Sequence, residues 1–111
     1  MKQRLNNPEI LLNAVMITGA GGAYAKTPSD NGSGDFTFQC FLSNTTGAGA
    51  VVYVQASLDD IHYDTLITFT LSGAGDSATR TLPYISGVQY LRGYVYSITG
   101  VSAAVTLRVG V

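Results

Sequence analysis

The chain has 111 residues, of which 46% are hydrophobic and 12% charged, with a formal net charge of -1. That length makes about one small domain around a single core, and the charged share is about half the quarter usual in soluble domains, so the surface is poor in charge and prone to associate. Six scattered basic residues exclude the clustered Lys/Arg of a nucleic-acid binder, and a single cysteine, Cys40, excludes an intrachain disulfide or a thiolate metal cluster.

At the start, Met1-Lys2-Gln3-Arg4 precedes an apolar run from Ile10 to Ile17, and Ala23-Tyr24-Ala25 mimics the small-residue cleavage site of a secretory signal. Asn6-Asn7-Pro8-Glu9 interrupts the approach and Asn13 lies inside the run, so a cleaved leader is not expected. The run is also too short to span a bilayer. Leu11 to Thr18 is apolar on both parities, and we read it as a strand. Gly19-Ala20-Gly21-Gly22 and the segment from Pro28 to Gly34 read as loop. Residues 1–34 are therefore expected to form an extended N-terminal arm and loop, with residues 35–111 as the folded domain.

Thr18-Gly19-Ala20-Gly21-Gly22-Ala23 imitates the strand-to-helix turn of dinucleotide-binding folds, where glycines let the backbone approach a pyrophosphate. Thr27-Pro28-Ser29-Asp30-Asn31-Gly32 leaves no room for the helix that such a site needs. Ala25-Lys26-Thr27 lacks the glycine that precedes the lysine of a phosphate loop. No cofactor is expected.

From Asp35 onward the strand signals come at regular spacing. Phe36, Phe38, Cys40 and Leu42 alternate with Thr37, Gln39 and Ser43, and a strand position makes Cys40 a small core residue. Val51 to Leu71 reads as a hairpin. Val52, Val54, Ala56 and Leu58 form the apolar side of its first run, against Val51, Tyr53, Gln55 and Ser57; Ile67, Phe69 and Leu71 alternate with Thr68 and Thr70 in its second. The connection holds the only histidine, His62, among Asp59, Asp60 and Asp64. It lacks the ligand spacing of a metal site and a positioned nucleophile, so turn chemistry, with Asp side chains bonding nearby backbone amides, is the expected role. Ser77 to Leu82, polar and ended by Pro83, reads as an edge strand.

At the C-terminus, Gln89 to Ile98 and Ala103 to Val109 flank a turn around Gly100. A three-residue hairpin loop there would pair Val95 with Val105 and Leu91 with Val109, and would set Arg92 opposite Arg108. Such like charges need an anion between them, which a carboxylate of another chain would supply. Tyr90, Arg92, Tyr94 and Tyr96 share one face of their strand. Tyrosine and arginine are enriched in binding hot spots, so this face is the expected partner-binding surface. Short strands, glycine-rich turns and no long helical pattern imply an all-β chain, an antiparallel β-sandwich of jelly-roll or immunoglobulin-like type.

From about Phe36 to Val111 the chain resembles the small β-sandwich proteins of tailed-phage virions. The similarity is carried by the stretch from Gly49 to Asp60, by Thr68-Phe69-Thr70-Leu71-Ser72-Gly73 and by Tyr90-Leu91-Arg92-Gly93-Tyr94-Val95. Asp60 stands where those proteins commonly have glycine, and His62-Tyr63 where a Trp is frequent. Length and low charge are also similar to the capsid staple, or decoration, proteins of epsilon-fifteen-like podoviruses. The resemblance implies a jelly-roll, dimeric, bound to the major capsid protein on the outside of a capsid assembled in the host cytoplasm. It implies no enzymatic activity and no membrane or nucleic-acid partner. On that reading Leu11, Leu12, Val15, Met16 and Ile17 of the arm would anchor on a neighbouring subunit, and Tyr90, Arg92, Tyr94, Tyr96 and Arg108 would complete the partner-binding set. The alternative is a carbohydrate-binding sandwich of a phage fibre or adhesin, with Tyr90, Tyr94 and Tyr96 stacking on sugar rings.

Overall fold

The structure is a computed structural model and describes residues 9–21, 24–25, 36–43, 48–73, 75–82, 90–100 and 103–110. These form nine strands: β1 (Glu9–Val15), β2 (Gly19–Ala20), β3 (Tyr24–Ala25), β4 (Phe36–Leu42), β5 (Gly49–Ser57), β6 (Asp64–Ser72), β7 (Ser77–Leu82), β8 (Tyr90–Thr99) and β9 (Val105–Gly110). No helix occurs among the described residues, so none is long and apolar enough to cross a membrane.

All pairings are antiparallel and make two sheets. The first runs β1-β9-β4-β7; the second runs β2-β8-β5-β6, with β3 also on β8. The period-two pattern sorts side chains as the sequence implies. Phe36, Phe38, Cys40 and Leu42 from β4, Val52, Val54 and Ala56 from β5, and Ile67, Phe69 and Leu71 from β6 are all buried in one core between the sheets. Leu58 departs from its expected face: the turn begins at that point and leaves it exposed. The β5/β6 hairpin and the polar edge strand β7 form as expected.

Two expectations are corrected. The described part of residues 1–34 is not an arm. β1 pairs with β9, and β2 and β3 pair with β8, which places Leu11 and Leu12 in the core at 3% and 1% exposure. Of the run that is apolar on both parities, Leu11 and Leu12 are buried within the same chain, where β1 lies beside β9 with a register shift between Ile10 and Leu12, while Met16 and Ile17 stay exposed. Residues 1–8, 22–23 and 26–34 lie outside the described residues.

The expected β8/β9 hairpin does not form either. β8 lies in the second sheet between β2 and β5, and β9 lies in the first between β1 and β4. Arg92 is therefore opposite Gln55, while Arg108 is opposite Ile10 and Gln39, in the other sheet. Both strands carry an apolar inward face, and those faces meet across the core. The contact is close: a Cβ placed on Gly93 would lie 2.6 Å from Leu12 Cγ and 2.8 Å from Leu107 Cδ2. Only a residue without a side chain fits there.

Candidate functional site

The outer face of the second sheet carries the aromatic residues that the interior does not need. On β8, Leu91, Gly93 and Val95 point inward and Tyr90, Arg92 and Tyr94 outward. β5 sets Tyr53 beside Tyr94, Gln55 beside Arg92 and Ser57 beside Tyr90. Opposite Val51 and Val52 the register shifts, and β8 carries one residue more than β5. That extra residue is Tyr96, which the bulge leaves 60% exposed. Beyond the bulge the parity is reversed, so Ile98 packs toward the core instead of sharing the tyrosine face.

Tyr53 stands between two rings, with its centroid 6.2 Å from Tyr94 at 15° and 5.3 Å from Tyr96 at 29°. These are stacked contacts within the range where aromatic pairs attract. Arg92 extends the row. Its guanidinium carbon lies 3.9 Å from the Tyr63 ring centroid and 5.8 Å from that of Tyr94, and its Nε donates to Gln55 Oε1 at 2.8 Å. Gln55 Nε2 donates in turn to Thr65 Oγ1 at 3.3 Å. The Tyr63 hydroxyl donates to Asp60 Oδ1. Burial, then the bond to Asp60 and its charge, push the Tyr63 hydroxyl up to about 12, so it keeps its proton and remains a donor.

The row thus runs Asp60, Tyr63, Arg92, Tyr94, Tyr53, Tyr96. Among the described residues Arg92 uses only Nε in a hydrogen bond, which leaves its terminal nitrogens as further donors. A guanidinium steadied by stacking and one hydrogen bond is preorganised for a carboxylate.

The loop between β5 and β6 places a serine, an aspartate and a histidine side by side. Ser57 Oγ donates to Asp59 Oδ1 at 2.9 Å and accepts the amides of Asp59 and Asp60. Asp59 Oδ1 also accepts the amides of Ile61 and His62, and its Oδ2 meets His62 Nδ1 at 2.8 Å. The order is wrong for nucleophile activation, which needs histidine between serine and carboxylate. Here the carboxylate is in the middle. The bonds from His62, Ile61 and Ser57 hold Asp59 well below the usual carboxylate range, and Asp59 raises His62. This is the capping network expected of an Asp-rich turn. Asp60 has φ +63°, a left-handed position that favours glycine. A shallow groove of about 360 Å³ beside the loop is lined by Ser57, Asp59, His62 and Asp64 with Leu58 and Leu66.

Of the residues expected to bind a partner, Arg92, Tyr94 and Tyr96 are brought together with Tyr90 on one strand. Leu11 and Leu12 are withdrawn into the core, and Val15 packs against it. Met16 and Ile17 are exposed between β1 and β2. Arg108 is on the outside of the opposite sheet, its guanidinium 5.7 Å from the Phe41 centroid. Tyr53, Gln55 and Tyr63 were missed as members of the site. Alternation placed Tyr53 and Gln55 outward, but only sheet order shows that they neighbour β8.

No protein family, curated protein or solved structure matches this chain.

Proposed function

We propose that this chain is a non-enzymatic structural protein of a tailed-phage virion, a capsid decoration protein that binds the outer surface of the assembled capsid and bridges its capsomers. The observation that carries the reading is the continuous tyrosine-arginine row on the outer face of the second sheet. Fixed aromatic area with polar edges, around one arginine with open donors, is the composition of a protein-binding hot spot. The strand order, with the chain passing repeatedly between a β1-β9-β4-β7 sheet and a β2-β8-β5-β6 sheet, supports a jelly-roll winding. The low-charge surface supports life within an assembly. A protein that binds only the assembled lattice adds its binding free energy to lattice stability by linkage.

The stacking also favours a protein partner over a sugar. A carbohydrate platform offers open ring faces, whereas Tyr53 is flanked by Tyr94 and Tyr96, and Arg92 covers Tyr63. Hydroxyls and ring edges are what the row offers to a partner. The test is co-sedimentation of the purified protein with undecorated capsids and, separately, with host polysaccharide. Wild type is expected to pellet with capsids, and Arg92→Glu to stay in the supernatant while remaining folded. Pelleting with the polysaccharide alone, or equal capsid binding by the variant, overturns the proposal.

A further inference from the structure

A β-sandwich has four sheet edges, and natural proteins blunt theirs to prevent strand addition. Three edges here are blunted by recognisable devices. β1 is shifted in register between Ile10 and Leu12 and again between Leu12 and Val15, with Ala14 at φ +52°. The edge beside β8 is broken into two strands of 2 residues each. β7 is 6 residues long, and its Arg80, opposite the inward Phe38, extends over the Phe69 ring at 6.0 Å, so a charge is turned inward along that edge.

The fourth edge is different. β6 is 9 residues long, Asp64-Thr65-Leu66-Ile67-Thr68-Phe69-Thr70-Leu71-Ser72, with no proline or glycine and no charge after Asp64. Its register shift lies near its start, opposite Val54 and Gln55, and leaves Ile67 to Ser72 regular. Gly73 donates its amide to Ala48 O. Antiparallel alternation then turns the backbone groups of Leu71, Phe69 and Ile67 toward β5 and those of Ser72, Thr70 and Thr68 outward. The far end agrees, since the Ser72 amide is taken by Asp76 Oδ2 at 2.9 Å. Among the described residues nothing pairs with the outward groups of Thr68 and Thr70.

We propose that the β6 edge is an interface for a second copy of this chain, pairing antiparallel to itself about a two-fold axis, with Thr68 and Thr70 exchanging backbone hydrogen bonds with the same two residues of the other copy. The segment is self-complementary for this. Antiparallel pairing sets Thr68 opposite Thr70 on the outer face, where threonine pairs bond favourably across strands. It sets apolar residues against apolar residues on the inner face. No like charges meet within the paired stretch, and Leu66, 39% exposed beside it, gains cover. Two-fold pairing of this kind is isologous and closes at a dimer.

The axis is perpendicular to the sheet, so both tyrosine-arginine faces end on the same side of one continuous sheet. If that face binds as proposed above, the dimer is bivalent; the pairing itself does not depend on that reading.

The test is sedimentation equilibrium of the full chain at sub-millimolar concentration, with residue-resolved amide exchange. Wild type is expected to be a dimer, with the Thr68 and Thr70 amides protected and their protection lost on dilution. Thr68→Lys/Thr70→Lys is expected to be a folded monomer by circular dichroism, and Thr79→Lys/Thr81→Lys, on the β7 edge, to remain a dimer. Arg92→Glu is expected to remain a dimer, which separates this inference from the capsid reading. A monomeric wild type, a folded dimer of the Thr68/Thr70 variant, or free exchange of both amides at every concentration overturns it.

Discussion

Arg92 holds its guanidinium 3.9 Å from the centroid of the Tyr63 ring, and so ties the central strand of the second sheet to the loop that leaves β5. The contact fixes a cation that would otherwise be free to sample many rotamers. Arg92→Lys keeps the charge but loses both the planar stack and the Nε bond to Gln55. Capsid affinity of that variant, measured by co-sedimentation, is expected to fall about tenfold, the size of a modest hot-spot loss. Binding equal to wild type would show that charge alone suffices.

Leu12 tests whether the N-terminal residues belong to the domain. At 1% exposure it packs against the β8 backbone at Gly93. Leu12→Ala is expected to destabilise the fold by about 2–5 kcal/mol, the cost of emptying a buried leucine site, read from the denaturation midpoint. Deletion of residues 1–18 removes β1 altogether and is expected to unfold the domain. A deletion variant with wild-type stability would restore the arm.

Gly93→Ala probes the same contact from the other side. Its Cβ meets Leu12 and Leu107, both fully buried and unable to swing away. Overpacking of this kind costs about 1–3 kcal/mol, and a lowered melting temperature is the expected result. A neutral substitution would mean that the sheets separate at little cost.

The pair of His62 and Asp59 makes the loop sensitive to pH in a definite direction. His62 is raised above its ordinary 6.5 by the bond and charge of Asp59. Its contribution to loop order is full below the ordinary histidine pKa and disappears as pH rises through the raised value. Asp59 is lowered, so its contribution is present above the ordinary carboxylate pKa and disappears as pH falls through the depressed value. A proton NMR titration should place the His62 midpoint above 6.5, returning toward it in Asp59→Asn. An unshifted wild-type midpoint would contradict the geometry.

Burial pushes the Cys40 thiol up to about 12. With no thiolate and no access, Cys40 is expected to resist alkylation in the native protein at pH near 8 and to react on unfolding. Labelling of the native chain by mass spectrometry would overturn its placement.

Alternation alone determined that this chain is all-β and, for β4, β5 and β6, which side chains face the core, because period two is the geometry of the pleat itself. It also found Arg92, Tyr94 and Tyr96 on one face, and Cys40 inside. What only the tertiary structure decided is which strands are neighbours. A hairpin and a crossover between sheets give the same parity, so Leu91 and Val95 read as partners of Val109 and Val105 although β8 and β9 lie in different sheets, all four side chains being buried in the core. The ambiguity at Leu11 and Leu12 has the same origin, since an apolar pair buries equally well against its own sheet or a neighbour's. The site depends on this order twice: Tyr53 joins Tyr94 because β5 lies beside β8, and Tyr96 stands out because one residue is bulged there, a local excess that no periodic pattern announces.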